Sequence, residues 1–419
     1  MKQAPSADVL VVGAGLIGLA SALAAVKEGF AVTVVDRAFE GDRASHGNAG
    51  GIAVTEHTPL SVPGMFWKSA KWLMDPLGPL SVSWKHLPRA LPWFLAFNGV
   101  SNPVEYGRIS RALAALNQRV YGDFLPMMKE LGLEDKVYRR GAITAYETEA
   151  AFQADQREWQ FKRELGVNWS NLSAPELADL EPALAKVFKR GVMLHDWSHI
   201  GDPKAIVEAL RDLLVARGAT LIEGEARAID ASRPDQPVLV LADGRRLIAK
   251  QIVVAAGVWS KALAHGVGDR VLLESERGYN TTLPNSGVTL SREIIFAERK
   301  FVVTPLDVGL RIGGAAEFAG AEAPPNYARS KALLTLGRRF VPGMDESGAV
   351  QWAGHRPATP DSLPVIGRSP KSPAVVYAFG HGHLGLTQSA TTAALVADLL
   401  AQRKPAIDLQ PYSIGRFAR

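Results

Sequence analysis

The sequence predicts an α/β fold, α+β overall, in which a dinucleotide-type βαβ unit is joined to a second domain built on a mixed sheet. Three observations predict it. A glycine-punctuated strand–turn–helix–strand fills residues 8–36, a second strand–turn–helix lies at 374–402, and parts of the intervening chain alternate like sheet strands.

The first unit starts with Asp8-Val-Leu-Val-Val, a fully buried strand, and runs into a helix that Gly29 ends; AVTVVD (Ala31 to Asp36) is the next buried strand. Gly13, Gly15 and Gly18 make G-x-G-x-x-G. The first gives the tight turn, the second lets a pyrophosphate reach the backbone, and the third lets helix and strand pack closely. The amides of Leu16 and Ile17, at the helix N-terminus, face the phosphates. Asp36, 18 residues after Gly18 and followed by Arg37, is placed to bond the hydroxyls of an adenosine ribose. A Rossmann-type domain follows, with NAD and FAD both open at this point.

The next stretch, GDRASHGNAGGI (Gly41 to Ile52), puts small and polar residues where backbone can lie against a flat ring system. Its Ser45-His46-Gly47-Asn48-Ala49-Gly50 resembles the loop of the D-amino acid oxidase superfamily of FAD enzymes, and within it the bacterial D-amino acid dehydrogenases. The resemblance implies FAD contacts from Ser45, Asn48, Ala49, Gly50, Gly51 and Ile52. Some relatives carry His in the place of Asn48 and attach FAD to it; Asn48 here, with no cysteine in the chain, predicts non-covalent FAD. His46, a variable loop position, is expected to look toward the substrate.

Two later patches extend the resemblance. VLVLADG and RRLIAKQIVVAAGVWS (Val238 to Ser260) read as a hairpin returning to the nucleotide domain, with Ala256 and Gly257, and Ala226 before it, as second nucleotide contacts. GHRPATPDSLPVIG (Gly354 to Gly367) resembles the stretch carrying the family's carboxylate-binding arginine, which falls on Arg356. A guanidinium offers a planar fork that matches a carboxylate. FGHGHLGLT (Phe379 to Thr387) resembles the family's turn beneath the flavin, implying contacts from Gly382, Leu384, Gly385, Leu386 and Thr387. His381 is then part of the turn and His383 touches substrate. The helix taken to begin around Gly385 would stabilise charge on the reduced flavin. ERGYNTTLP (Glu276 to Pro284) resembles the segment that places Tyr279 at the substrate, and Arg311 reads as structural. Arg356, Tyr279 and His383 are thus the expected catalytic set. No metal site is expected.

The three nucleotide patches make the FAD domain discontinuous, at 1–60, 200–268 and 348–419, with 61–199 and 269–347 forming the substrate-binding domain. The first insertion carries a helical pattern from Ile109 to Leu131 with Gly132 as its stop, and the second a hairpin turning at Asp307 to Gly309.

The implied activity is oxidative deamination of a D-amino acid, or of a cyclic one such as hydroxy-D-proline, with electrons passed to a respiratory acceptor, either a quinone or an electron-transfer protein. An oxygen-using glycine or sarcosine type oxidase and an electron-relay subunit of a complex are the alternatives. Composition agrees with a folded enzyme: 419 residues, 47% apolar, 21% charged, no cysteine. The net charge of +5 is dispersed, which argues against nucleic acid. The first apolar run is broken by glycines too early for a signal, so a cytoplasmic location is expected. Between Pro59 and Pro103 lie seven prolines and four tryptophans (Trp67, Trp72, Trp84, Trp93) among Lys68, Lys71, Lys85 and Arg89. These rings are expected to pack the substrate domain, and peripheral contact with the inner face of the cytoplasmic membrane is the alternative.

Overall fold

The structure, a computed structural model, describes residues 7–64, 78–233 and 236–418. Two large sheets organise it. The first has eight strands, with a parallel core ordered 220–223, 32–36, 7–12, 246–254 and 375–379; the meander 226–230, 238–241, 246–254 extends one side and 365–368 pairs with 375–379. Val9 and Val11 point into one apolar cluster and Leu10 and Val12 into another, because helices or further chain cover both faces. A parallel sheet buried on both sides needs such a continuous apolar strand. Helix Leu16–Lys27 packs on Ser389–Leu400 and on Pro203–Ala216, and Gly29, at φ 86°, turns the chain out of it.

The second sheet has nine strands, ordered 350–358, 274–283, 309–318, 301–306, 293–296, 142–146, 190–194 and 169–173, with 80–82 pairing on 309–318. Its pairs are antiparallel except 142–146 with 293–296 and 80–82 with 309–318. A small third sheet, 51–52, 198–200 and 137–138, ties the loop after the first βαβ unit to the rest.

Three expectations shift. Val350–Ala358, assigned by sequence to the nucleotide portion beginning at 348, is the edge strand of the second sheet, so Arg356 stands on that sheet. The pattern over 109–131 is two helices, Pro103–Asn117 and Val120–Glu130, broken at Gln118 and Arg119. The C-terminal helix begins at Ser389; Gly382–Leu384 is a short 3-10 turn and 385–388 a further turn, so the helix starts four residues past Gly385. Both expected hairpins form, the second with Asp307 and Val308 between strands Phe301–Leu306 and Gly309–Phe318.

In the tryptophan-rich region Leu87–Gly99 is a helix despite Pro92, and Trp93 is buried in it, its indole N–H donating to the Ala358 carbonyl (2.9 Å) while its ring meets Phe94, Phe97 and Phe318. Trp84 is 85% exposed. Trp67, Lys68, Lys71 and Trp72 lie outside the described residues. No helix among the described residues is long and apolar enough to cross a membrane.

Candidate functional site

Between the two sheets lies a chamber of about 2030 Å³, well above the roughly 300–1,000 Å³ usual for a small-molecule pocket. At one end stands the glycine fingerprint. A side chain at Gly13, whose φ is 107°, would collide with the Ala255 carbonyl, and one at Gly18 with the Gly13 carbonyl, whereas the nearest atom to a side chain at Gly15 would be Ser45 Oγ at 3.6 Å. Tight turn, close packing and open approach thus fall on the three glycines as the motif requires. Gly15, Leu16, Ile17, Asp36 and Arg37 line the chamber, and so do Ala226, Ala256 and Gly257 from the other nucleotide patches. Gly18 sits behind it.

Two details depart from the sequence reading. The Leu16 amide donates to Ser45 Oγ (3.1 Å), so it holds the loop rather than standing free. Asp36 accepts from the amides of Ala14 (2.6 Å) and Ala38 (3.1 Å), with the Arg43 guanidinium 3.6 Å away, so it orders the turn as well as closing the strand. The Arg37 guanidinium lies 3.9 Å over the Trp259 ring.

The loop 45–51 is held by its own Asn48 and by contacts from the second sheet. Asn48 Oδ1 accepts from the Gly50 amide (2.7 Å), Asn280 Nδ2 donates to the Gly47 carbonyl (2.8 Å), and buried Arg311 donates to the carbonyls of Asn48 (2.6 Å) and His46 (3.3 Å). Side chains at Gly47 or Gly51 would collide with the Trp352 ring or the Glu293 carboxyl. Such a backbone wall, with Asn48, Ala49 and Gly51 on the chamber, fits a flat ring system, and with the fingerprint it fits FAD. Gly50 and Ile52 are set back: Gly50 abuts Leu306, and Ile52 is wholly buried in the core. Thr387 also acts from behind, its hydroxyl accepting from the Ala53 amide (2.9 Å), and Leu384 is a core residue. Gly382, Gly385 and Leu386 line the chamber.

At the other end Arg356 Nη1 donates to Glu276 Oε1 and to the Ala315 carbonyl, both at 2.9 Å. Its Nε and Nη2, which lie over Gly278, have no hydrogen-bond partner among the described residues. Glu276 and Arg356 are opposite one another in the register of adjacent strands, as are Gly278 and Gly354, and Asn280 and Trp352, so these even-numbered positions share the face turned to the loop. Tyr279, one residue out of phase, belongs to the other face. It is 1% exposed and packs in the core of the second sheet; its hydroxyl donates to Glu317 (2.5 Å) and accepts from the Asn326 amide (2.8 Å). Tyr279 also lines the chamber, with its hydroxyl already engaged by Glu317 and Asn326.

The two histidines divide. His381 is buried, its Nε2 2.9 Å from Thr392 Oγ1, and burial pushes its imidazole down to about 3. His383 stands exposed on the chamber. Desolvation by the surrounding protein lowers its pKa, with Glu276 and Glu56 acting the other way. His46 does not reach the chamber: its Nδ1 lies 3.5 Å from Asp42, and it lines a separate small recess with Phe39 and Lys204. The expectation that it meets substrate is therefore corrected. Among the described residues no three potential ligands converge on a metal site.

Sequence reasoning missed Glu276, Glu293, Glu56 and Lys162, all of which line the chamber. Lys162, 5% exposed, lies 3.4 Å from Glu56 and 3.6 Å from Glu158. Its i,i+4 spacing to Glu158 reads in sequence as an ordinary solvated helix pair. Glu276 alone had a signal, since period-two alternation puts it beside Gly278.

A family model described as "FAD dependent oxidoreductase" matches residues 8–399. The chain is 36% identical over 418 residues to a D-amino-acid oxidase of Bradyrhizobium diazoefficiens, covering 98% of each protein. Its fold is similar to the glycine oxidase from Geobacillus kaustophilus (TM-score 0.75, 23% identity, 99% of each chain covered). It is also similar to the L-proline dehydrogenase from P. horikoshii (TM-score 0.75, 17% identity, 99% of this chain and 98% of that one covered).

Proposed function

Since the chain belongs to the FAD-dependent oxidoreductase family of D-amino acid oxidases, and so is an FAD-dependent amino acid or amine oxidoreductase, we propose that it deaminates a D-amino acid, linear or cyclic, oxidatively. The observation that carries this is the Arg356 fork, whose Nε and Nη2 have no hydrogen-bond partner among the described residues, in the chamber that also holds the dinucleotide loop. Bound FAD supplies the acceptor for the hydride that leaves the substrate α-carbon.

The protein's part is to bind, orient and exclude water. Arg356 takes the carboxylate through its open edge while Glu276 and the Ala315 carbonyl fix the guanidinium plane through Nη1. His383, whose pKa lies below the ordinary imidazole value, stays neutral and offers a ring nitrogen that can accept a hydrogen bond from the substrate amino group, which binds as the neutral amine after releasing its proton to water. The imino acid product hydrolyses in water to a 2-oxo acid and ammonia, or stays cyclic if the substrate was a ring. The electrons then pass to a respiratory acceptor. The name of the Bradyrhizobium relative supports a second reading, with oxygen in that role.

The test is anaerobic bleaching of the yellow protein by D- and L-amino acids, including prolines. Arg356→Lys, which loses the fork and keeps the charge, should raise the half-bleaching concentration about 10–100-fold, the worth of a charge-assisted hydrogen bond, with flavin still bound. An unchanged concentration would remove Arg356 from the site. Reoxidation by quinone or dye but not by air selects the respiratory acceptor, and rapid peroxide formation selects oxygen.

A further inference from the structure

Beyond His383 the chamber continues into a lobe walled by helix Glu149–Glu164 and by the edge of strand Glu293–Phe296. We propose that this lobe selects substrates whose side chain ends in a cation, an ammonium or a guanidinium, which deepens the D-amino acid reading above and rests on it.

The charges there do not balance. Glu56, Asp155 and Glu158 line the lobe, and Lys162 is the sole cation within ion-pair distance of any of them among the described residues. Lys162 divides itself between Glu56 and Glu158 at 3.4 and 3.6 Å, and Glu158 also accepts from the Thr58 hydroxyl at 3.1 Å, so neither carboxylate has a cation of its own. Asp155 accepts from the Tyr146 hydroxyl (3.1 Å).

Glu293 points to a ligand independently of this count. It is 3% exposed, yet it borders the chamber; Oε2 accepts from the Trp197 indole (3.0 Å) and Oε1 has no hydrogen-bond partner among the described residues. A carboxyl that borders the chamber with one oxygen unbonded leaves a hydrogen-bonding position for a ligand to complete. The surrounding walls, Trp159, Tyr146 and Trp197, present aromatic surface, which receives a desolvated cation better than an anion. An acidic side chain would meet surplus like charge there, and a neutral one would leave Glu293 half-bonded.

The lobe is continuous with the carboxylate clamp. Arg356, Glu276, His383 and Glu56 all line the same chamber, and the charges of Glu276, Glu56 and Arg356 all act on His383, so an amino acid held by Arg356 has its side chain in the space that Glu56 also borders.

The test compares D-lysine and D-arginine with their neutral counterparts D-norleucine and D-methionine, and with D-glutamate, in anaerobic bleaching of the holoenzyme. D-lysine should half-bleach at a concentration about tenfold or more below D-norleucine, as one charge-assisted hydrogen bond gives. In Glu56→Gln/Glu293→Gln that ratio should collapse toward one. Equal response to D-lysine and D-norleucine, preference for D-glutamate, or an unchanged ratio in the double variant overturns the inference. The wild-type ratio decides the matter alone if the variant does not fold. Bleaching by neutral D-amino acids with no charge preference leaves the deamination reading standing, whereas bleaching by no amino acid at all defeats both.

Discussion

Glu293 is a carboxyl that the fold keeps from ionising. Burial pushes its pKa up to about 8, the Trp197 hydrogen bond opposes that, and the nearby Glu56 charge adds to it. In the unfolded chain the same group titrates near 4.3. Between those values the folded protein holds a proton that the unfolded chain has released. The contribution to stability is therefore fully present below the unfolded value and is lost as pH rises to about 8. Glu293→Gln puts a permanently neutral amide in the same place and removes this dependence. The flavin-free wild type should lose melting temperature more steeply than the variant between pH 6 and 9. Parallel curves would show that the carboxyl ionises there without penalty.

At the scale of elements, the loop 45–51 shows what could be read from sequence and what could not. Gly13, Gly15 and Gly18 were legible because their spacing is a local signature of the strand–turn–helix, even though Gly13 packs on the remote strand end at Ala255. What holds the loop is remote: Arg311 Nη1 reaches the Asn48 carbonyl across 263 residues, and Asn280 reaches Gly47 across 233. No spacing rule encodes those pairs. The surroundings of Tyr279 were hidden for a related reason. Resemblance found the right strand, but which face a residue takes depends on the parity of Glu276, Gly278 and Asn280 against their partners, fixed only when the strands pair. The helix start moved from Gly385 to Ser389 because 385–388 form a turn, with Thr387 taking the Ala53 amide. Arg311 gives this scale its prediction. Burial lowers its pKa to about 10, which still leaves it charged at neutral pH, and its Nε is held by Thr282 Oγ1 at 3.0 Å. Arg311→Met keeps the length and removes both loop bonds, so FAD should bind roughly 10–100-fold more weakly in equilibrium titration. Unaltered affinity would mean the loop keeps its shape without the clamp.

At the scale of the whole molecule, the chain crosses repeatedly between two sheets whose main shared space is a chamber of about 2030 Å³. Strand Val350–Ala358 brings Arg356 on the second sheet, and the next strands, 365–368 and 375–379, return to the first. The walls of that chamber come from both sheets, so a ligand filling it binds the assembled fold and not the unfolded chain. Occupancy must then raise stability by mass action, about 2.7 kcal/mol when free ligand is 100 times its dissociation constant. The chain has no cysteine, and Asn48, at the position where some relatives carry an attachment histidine, uses its side-chain oxygen on the Gly50 amide. FAD held this way should be wholly removable. Acid precipitation should give a colourless pellet and a yellow supernatant, the stripped protein should melt several degrees lower, and added FAD should restore the original melting temperature in proportion to occupancy. Yellow colour retained in the washed pellet would mean a covalent link and overturn the assignment; equal melting of stripped and reloaded protein would mean the cofactor lies outside this chamber.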